Sequence, residues 1–326
     1  MGNLVNLPNI NPESIVIESN SSARNQKSGA FDEKNYLNVR LADGETEKTL
    51  TIRLLPMNLE TGSPFVKVHM HNVRVPKEVS PSGWKSYICL AKNKDIDHEK
   101  YGNRCPFCEL NQNAYQESVK ETDPIKKKNF KDVSLANLSR EAVIVRCIER
   151  GKEDEGVKFW KFNLRSDKTD PYNQIIKLYQ MRKEAAEKKG KTENILDIYD
   201  GRDLNITFTS EGTSAPQIID DSDRSPLSEN EEQMKAWIYD TKKWQDVFST
   251  KPYEYLALVS QMRIPWYDRD KGMWVDKEDY ENEHKNQVKE SDDLIEKANY
   301  AVVHPESAKK PDIVDSMTIQ EEDLPF

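Results

Sequence analysis

The chain has 326 residues, of which 36% are hydrophobic and 32% charged, with a formal net charge of −9. That length allows one to three domains and a core that folds without covalent staples, and the low apolar share implies one modest core with solvated arms. No run of about 18 apolar residues exists, which excludes a helical membrane span; Met1-Gly2-Asn3-Leu4 opens no secretory pattern, and four cysteines in so long a chain are no disulfide framework, so a cytoplasmic protein with reduced thiols is expected.

Residues 1–30 are polar and rich in Asn and Ser, which reads as a flexible arm. Leu37, Val39 and Leu41, the Asp43-Gly44 turn, then Leu50, Ile52 and Leu54 predict a hairpin or strand pair. Phe65 to Val75 alternates as a strand, with Val66, Val68 and Met70 on one face and Lys67, His69 and His71 on the other. A Cys/His-bearing loop follows to Cys108; Pro106 opens a helix running to about Glu121, and Lys126, Lys127 and Lys128 are placed in a loop. Ala142 to Ile148 is an apolar strand, Gly151 to Gly156 an acidic turn, and Val157 to Leu164 an aromatic-rich strand. Asp170-Pro171 marks a helix start and Gly190 its stop. Leu204, Ile206 and Phe208 form another strand, Ser228 to Glu231 fits a capping box, and a further helix starts at Pro252. Residues 276–310 are charged and helical in character, and 311–326 read as an acidic tail. Many short strands with few helices between them predict a mainly β chain with added helices (α+β), built on a small antiparallel barrel over about 31–275.

Charge is unevenly spread. Lys67 to Lys168 holds 21 Lys+Arg against 15 Asp+Glu, a local balance of +6 that leaves −15 for the rest, while Asp312 to Phe326 has five acids and no base. A basic middle with an acidic end implies a polyanionic partner for the middle. Bases and aromatics interleave there: Trp84, Lys85, Tyr87, Arg104, Lys126 to Lys128, Arg140, Arg146, Lys158, Trp160 and Phe162. A single nucleic-acid strand needs cations for its phosphates and flat rings for its unstacked bases. Strand alternation puts Lys158, Trp160 and Phe162 on one face and Phe159 and Lys161 on the other, and one of those faces must pack inward. With 12 Gly, five His, no phosphate loop and no nucleophile elbow, an enzyme is not expected.

Cys105-Pro106-Phe107-Cys108 can aim two thiolates at one metal ion from a turn entering a helix. Cys89 supplies a third, and Cys147 lies inside a strand as a small buried hydrophobe. The fourth ligand is then a histidine, with His71, His98 and His69 competing. A shell of three thiolates and one imidazole has no open position, so one structural Zn2+ is expected.

The strand Val66 to His71, the segment Gly83-Trp84-Lys85-Ser86-Tyr87-Ile88-Cys89, the run Arg104 to Glu109, and Ala142 to Leu164 with its acidic turn together resemble the zinc-containing single-stranded DNA-binding (helix-destabilising) proteins of T-even-type bacteriophages. The resemblance spans roughly residues 35–210. It implies an OB-type barrel with a zinc subdomain at about 66–125, a cleft for single-stranded DNA, and His71 as the zinc histidine beside Cys89, Cys105 and Cys108. It also implies coating of DNA during replication, recombination and repair, cooperative self-association, and recruitment of replication proteins by the acidic end. The tip Asp323-Leu324-Pro325-Phe326 is similar to that of bacterial single-stranded DNA-binding proteins, which marks those four residues as a partner hook. The competing expectation is a zinc-stabilised protein–protein adaptor that does not bind nucleic acid.

Overall fold

A computed structural model describes residues 33–284 except 58–61, 95, 166, 211–215, 221–222 and 249. The expected N-terminal arm, the stretch 285–310 and the acidic tail with Asp323, Leu324, Pro325 and Phe326 lie outside the described residues. The chain divides into two compact units, Met1–Pro265 and Trp266–Phe326.

In the first unit the elements run β1 (Glu47–Leu55), β2 (Phe65–Arg74), β3 (Trp84–Ile88), α1 (His98–Tyr101), α2 (Pro106–Lys120), α3 (Pro124–Ala136), β4 (Arg140–Glu149), β5 (Lys158–Asn163), α4 (Pro171–Glu187), β6 (Leu204–Thr209), β7 (Gln217–Asp220), α5 (Glu231–Ile238), α6 (Trp244–Val247) and α7 (Tyr253–Ser260). From the last residue of the first unit onward come the two-stranded sheet of β8 (Pro265–Asp268) and β9 (Met273–Asp276) and then helix from 277 to the last described residue, 284.

The seven strands β1 to β7 form one antiparallel sheet in the order β3-β2-β4-β1-β6-β7, with β5 also on β4. Strand β4 organises it. Its residues 140–145 pair with β2, its residues 146–149 pair with β1, and β5 runs along 142–147. A strand has only two edges, so β5 takes one and β2 and β1 share the other. With sheet on both sides and burial on both faces, β4 is apolar from Ala142 to Ile148 except at Arg146: Ala142, Val143, Ile144, Val145, Cys147 and Ile148 are all buried. The described pairings leave the sheet open. Its architecture is thus mixed α+β around a mainly antiparallel sheet.

One face of the sheet carries the main core: Leu50, Ile52, Leu54, Phe65, Val143, Val145, Trp160, Phe162, Leu204, Ile206 and Phe208, closed over by Ile175 and Tyr179 of α4. Helix α4 starts where the sequence implies, because the Asp170 side chain accepts from the Asn173 amide and Pro171 supplies a ready-made first-turn φ.

Four local expectations need correction. Residues 37–42 form no strand with β1; just before them Tyr36 makes a single parallel bridge to Phe159, and β1 instead pairs with β4 and β6. Lys126, Lys127 and Lys128 lie on α3, not in a loop, because Asp123 caps the Ile125 and Lys126 amides and Pro124 begins the helix. The Cys/His-bearing stretch contains strand β3, which zips onto β2. Helix α5 is capped by Asn230, two residues past Ser228.

Candidate metal centre and nucleic-acid interface

Four side chains converge where β2, β3 and α2 meet. His71 is on β2, Cys89 directly follows β3, and Cys105 and Cys108 are the N-cap and third residue of α2. The pairing His71↔Tyr87 places Cys89 two residues along on the same strand face, beside His69, whose carbonyl accepts from the Cys89 amide at 3.0 Å. The helix start has no side-chain cap, so the two cysteine sulfurs sit at the positive end of α2, which favours thiolate.

The ligand atoms of these four residues lie within 4.8 Å of one another. Cys89 Sγ is 3.4 Å from Cys108 Sγ, and His71 Nε2 is 3.4 Å from Cys105 Sγ and 3.6 Å from Cys108 Sγ. All four cysteines of the chain are free thiols. A tetrahedral ion with ordinary metal–sulfur and metal–nitrogen bonds needs edges of about 3.5–3.8 Å, so the cluster could hold one metal ion with little movement. His71 Nδ1 is 2.9 Å from the carbonyl of Asn137. Nδ1 must therefore donate its proton there, which turns the Nε2 lone pair toward the sulfurs. With no cation, burial alone would lower the pKa of His71, but hydrogen bonds with Cys105 and Cys89 outweigh it and raise it to about 9. Hydrogen bonds from Cys108 and Cys89 lower that of Cys105, while those with Cys105 and Cys89 raise that of Cys108.

The surroundings hold the ligands rigidly. Phe107, between the paired cysteines, packs its ring 5.2 Å from that of His71 and 6.0 Å from that of Tyr87. Buried Asn93 donates to the carbonyls of His69 and Cys89 and accepts from the His69 amide, each at 2.8 Å. Sequence reasoning missed Asn93 and Asn137; a polar residue four positions past Cys89 was the only signal. Of the competing histidines, His98 bonds the Gly102 carbonyl at the end of α1 and His69 lies 3.9 Å from Glu141.

The residues nominated for nucleic acid fall into separate places. Arg146 is 4% exposed, and its guanidinium donates to the carbonyls of Pro56, Trp237, Ile238 and Asp240. Lys158 is 2% exposed and ion-paired with Glu149 and Glu155. Trp160 and Phe162 are in the main core, and Tyr87 is buried against Phe107. These five build the fold and present no surface to a ligand. Arg104 is exposed, paired with Glu109 at 2.7 Å and lying over the Tyr253 ring. Lys126 and Lys128 are exposed and Lys127 half-buried, all on α3. Trp84 and Arg140 are exposed and Lys85 is half-buried.

Sheet register brings a different set together. Directly paired residues point to the same face. The pairs Arg74↔Trp84, Asn72↔Ser86, Met70↔Arg140, Ile144↔Lys161 and Ala142↔Asn163 all lie on the face opposite the main core. Arg74 stands over the Trp84 ring at 5.4 Å, and Lys161 Nζ donates to Ser86 Oγ at 3.1 Å. Lys161 and Ser86 are on strands with β4 and β2 between them, about 14 Å apart in a flat sheet. The sheet therefore curls toward this face and makes it concave. Burial lowers the pKa of Lys161, and among the described residues no carboxylate pairs with Lys161 or Arg74. The middle of this face is filled by Val66, Val68, Met70, Ala142 and Ile144, all buried, so what it offers a ligand lies at its rim. There an exposed ring, a stacked guanidinium and a partly desolvated ammonium are what a single strand's bases and phosphates require.

Comparison with protein families gives a match to the model described as "gp32 DNA binding protein like" over residues 47–254. The chain belongs to this family of DNA-binding proteins, and the match covers the whole antiparallel sheet, the metal cluster and the start of α7. Membership supports single-stranded DNA as the ligand. No curated protein matches the chain.

Proposed function

We propose that the chain is a non-enzymatic single-stranded DNA-binding protein that coats and protects DNA exposed during replication, recombination and repair. The family match over 47–254 carries this reading. In it, the curled sheet serves as an OB-type scaffold, the strand lies along the concave face by Trp84, Arg74, Ser86, Lys161 and Arg140, and Lys85, Arg104 and Lys126 to Lys128 add outlying positive charge. The ion held by His71, Cys89, Cys105 and Cys108 is one structural zinc: three thiolates and an imidazole suit it, and no ligand position is left for a reaction. The acidic tip, Asp323 to Phe326, recruits replication and recombination proteins, and neighbouring copies associate on DNA. The setting is the cytoplasm of a cell infected by a virus of the T-even kind. The residue divisions 31–275 for the core, 276–310 and 311–326 belong to the same reading.

Fluorescence titration with a single-stranded and a duplex oligonucleotide of one sequence tests it. Log affinity for the single strand should fall with log salt at about −0.7 per phosphate contacted, and the duplex should bind far more weakly. Equal affinity for both would contradict the single-strand reading, and none for either would favour the adaptor reading. Cys105→Ser should release zinc and open the Val75 to Cys108 stretch to protease, because the cluster ties the stretch after β3 to β2 and α2; full zinc content in the variant would refute the ligand assignment.

A further inference from the structure

Strand β3 is an edge strand, bonded only to β2. Its two faces do different things. Trp84 and Ser86 look onto the concave face, while Lys85 and Tyr87 look the other way. On that other side Lys85 Nζ stands over the Tyr87 ring at 5.8 Å, Lys251 Nζ stands over the Tyr255 ring at 5.5 Å, and the two rings are 6.0 Å apart. Lys251 precedes Pro252, the N-cap of α7, whose first turn has no side-chain cap. Two ammonium groups from distant parts of the chain are thus each held half-buried over one of two neighbouring rings. Among the described residues neither has a carboxylate within ion-pair distance. Of the acids at the two helix starts beside them, Glu109 is taken by Arg104 and by the Tyr253 hydroxyl, and Glu254 stands exposed in the first turn of α7. Burial lowers the pKa of both lysines, and the charge of Lys85 lowers that of Lys251 further. A fold gains nothing from pressing two like charges together out of water. An anion between them removes both the repulsion and the desolvation penalty.

We propose that Lys85 and Lys251 form a two-lysine site for one phosphate group, on the opposite side of the β3 edge from the concave face. Resting on the single-stranded DNA reading, the site takes a backbone phosphodiester of a strand that leaves the concave face and bends around β3. The metal cluster adjoins it, since Cys89 directly follows β3.

The test uses the full-length chain with Lys85→Gln, Lys251→Gln and the double variant, and Lys251→Arg as the charge-keeping control. Two measurements are made: the salt slope for an oligothymidylate, and 31P line broadening of inorganic phosphate. One shared phosphate predicts that either Gln variant flattens the slope by about 0.7 and that the double variant flattens it by no more. Lys251→Arg should keep the wild-type slope. Inorganic phosphate should broaden saturably with wild type and not with the double variant. An unchanged slope in the double variant, or a loss of about 1.4 as two independent contacts would give, overturns the proposal. Phosphate broadening that is lost in the double variant, in a protein that binds no oligonucleotide, would sustain the site as a free-phosphate site and refute the DNA reading instead.

Discussion

The β4–β5 end of the sheet and its β3 edge are both rich in cations, and they use them in opposite ways. At the β4–β5 end Arg146 and Lys158 are deeply buried, with four carbonyls around one and two carboxylates against the other. At the β3 edge Arg74, Lys85 and Lys251, with Lys161 reaching across from β5 to Ser86, are half-buried or exposed, and rings and a hydroxyl take the place of acids. The difference shows that the density of basic residues along a sequence says little by itself about an anion-binding surface. The partner decides. A buried cation with its hydrogen bonds satisfied joins two segments of the chain, whereas a cation left on an aromatic ring with its charge unneutralised still has affinity to give.

The comparison breaks most plainly at Arg146. Arg146→Ala strips donors from four carbonyls that tie β4 to the segment 237–240 and to Pro56. Buried acceptors left without donors cost about 1–3 kcal/mol each before water enters, so a loss of about 3–5 kcal/mol is expected in urea unfolding. A stable variant with a flattened salt slope would place Arg146 at the DNA instead. Next comes Glu149→Gln, which leaves Lys158 with only the partly exposed Glu155; about 3 kcal/mol is expected, near the lower end for a broken buried pair. The pH dependence has a definite sign. Burial would raise the Glu149 pKa, but hydrogen bonds from Lys152 and Lys158 outweigh it and hold it below the usual carboxylate range. Its contribution is therefore full above the unfolded carboxylate pKa and fades as pH falls through the lower folded value. Wild type should lose stability on acidification more steeply than Glu149→Gln; parallel acid limbs would remove Glu149 from the account.

Much of this division was hidden in the sequence for a physical reason. Alternation along Lys158 to Phe162 separates the two faces but does not say which packs inward. The choice rested on Trp160 and Phe162 as stacking rings, and those are the residues that fill the core, taking Lys158 in with them. The acidic turn supplies Glu155 to Lys158, and Glu149 stands nearby at the end of β4, which in retrospect mark that lysine as a paired one. Lys161 stands on the other face, where nothing in the sequence distinguishes it from an ordinary surface lysine. The metal cluster was legible because thiolates at C-x-x-C spacing with a third nearby are rare outside metal sites, and the histidine became determinate only with the β2–β3 register that sets His71 opposite Tyr87. Helix α3 had its signal, Asp123-Pro124, but the lysine run that follows reads equally as a loop.

On the β3 side the expected effects are on binding, not on folding. Trp84 is 46% exposed with Arg74 over its ring. Trp84→Ala should weaken oligonucleotide binding by about 1–3 kcal/mol, the worth of one stacked base, with the salt slope little changed. Lys161→Gln should do the reverse, flattening the slope by about 0.7 with a smaller loss at high salt. If both variants moved affinity and slope in the same proportion, the ring and the ammonium would not be playing distinct parts on the concave face.

The smallest effect is expected from the run that looks most like a DNA contact on paper. Lys126, Lys127 and Lys128 follow one another on α3, so at about 100° per residue they point in three directions and cannot grip one strand together. Lys128 is already paired with Asp132 at 2.6 Å, one helical turn on. Exposed charges of this kind act on a distant polyanion through a field that fades over about 8 Å at physiological salt. Reversing Lys126 and Lys127 to Glu should therefore lower affinity at low ionic strength and leave it nearly unchanged near physiological salt, with the association rate more affected than the dissociation rate. Stopped-flow mixing with a labelled oligonucleotide at two salt concentrations separates these. A faster dissociation rate at both concentrations would mean that α3 touches the strand, and the boundary between outlying charge and true contact surface would then have to include the helix.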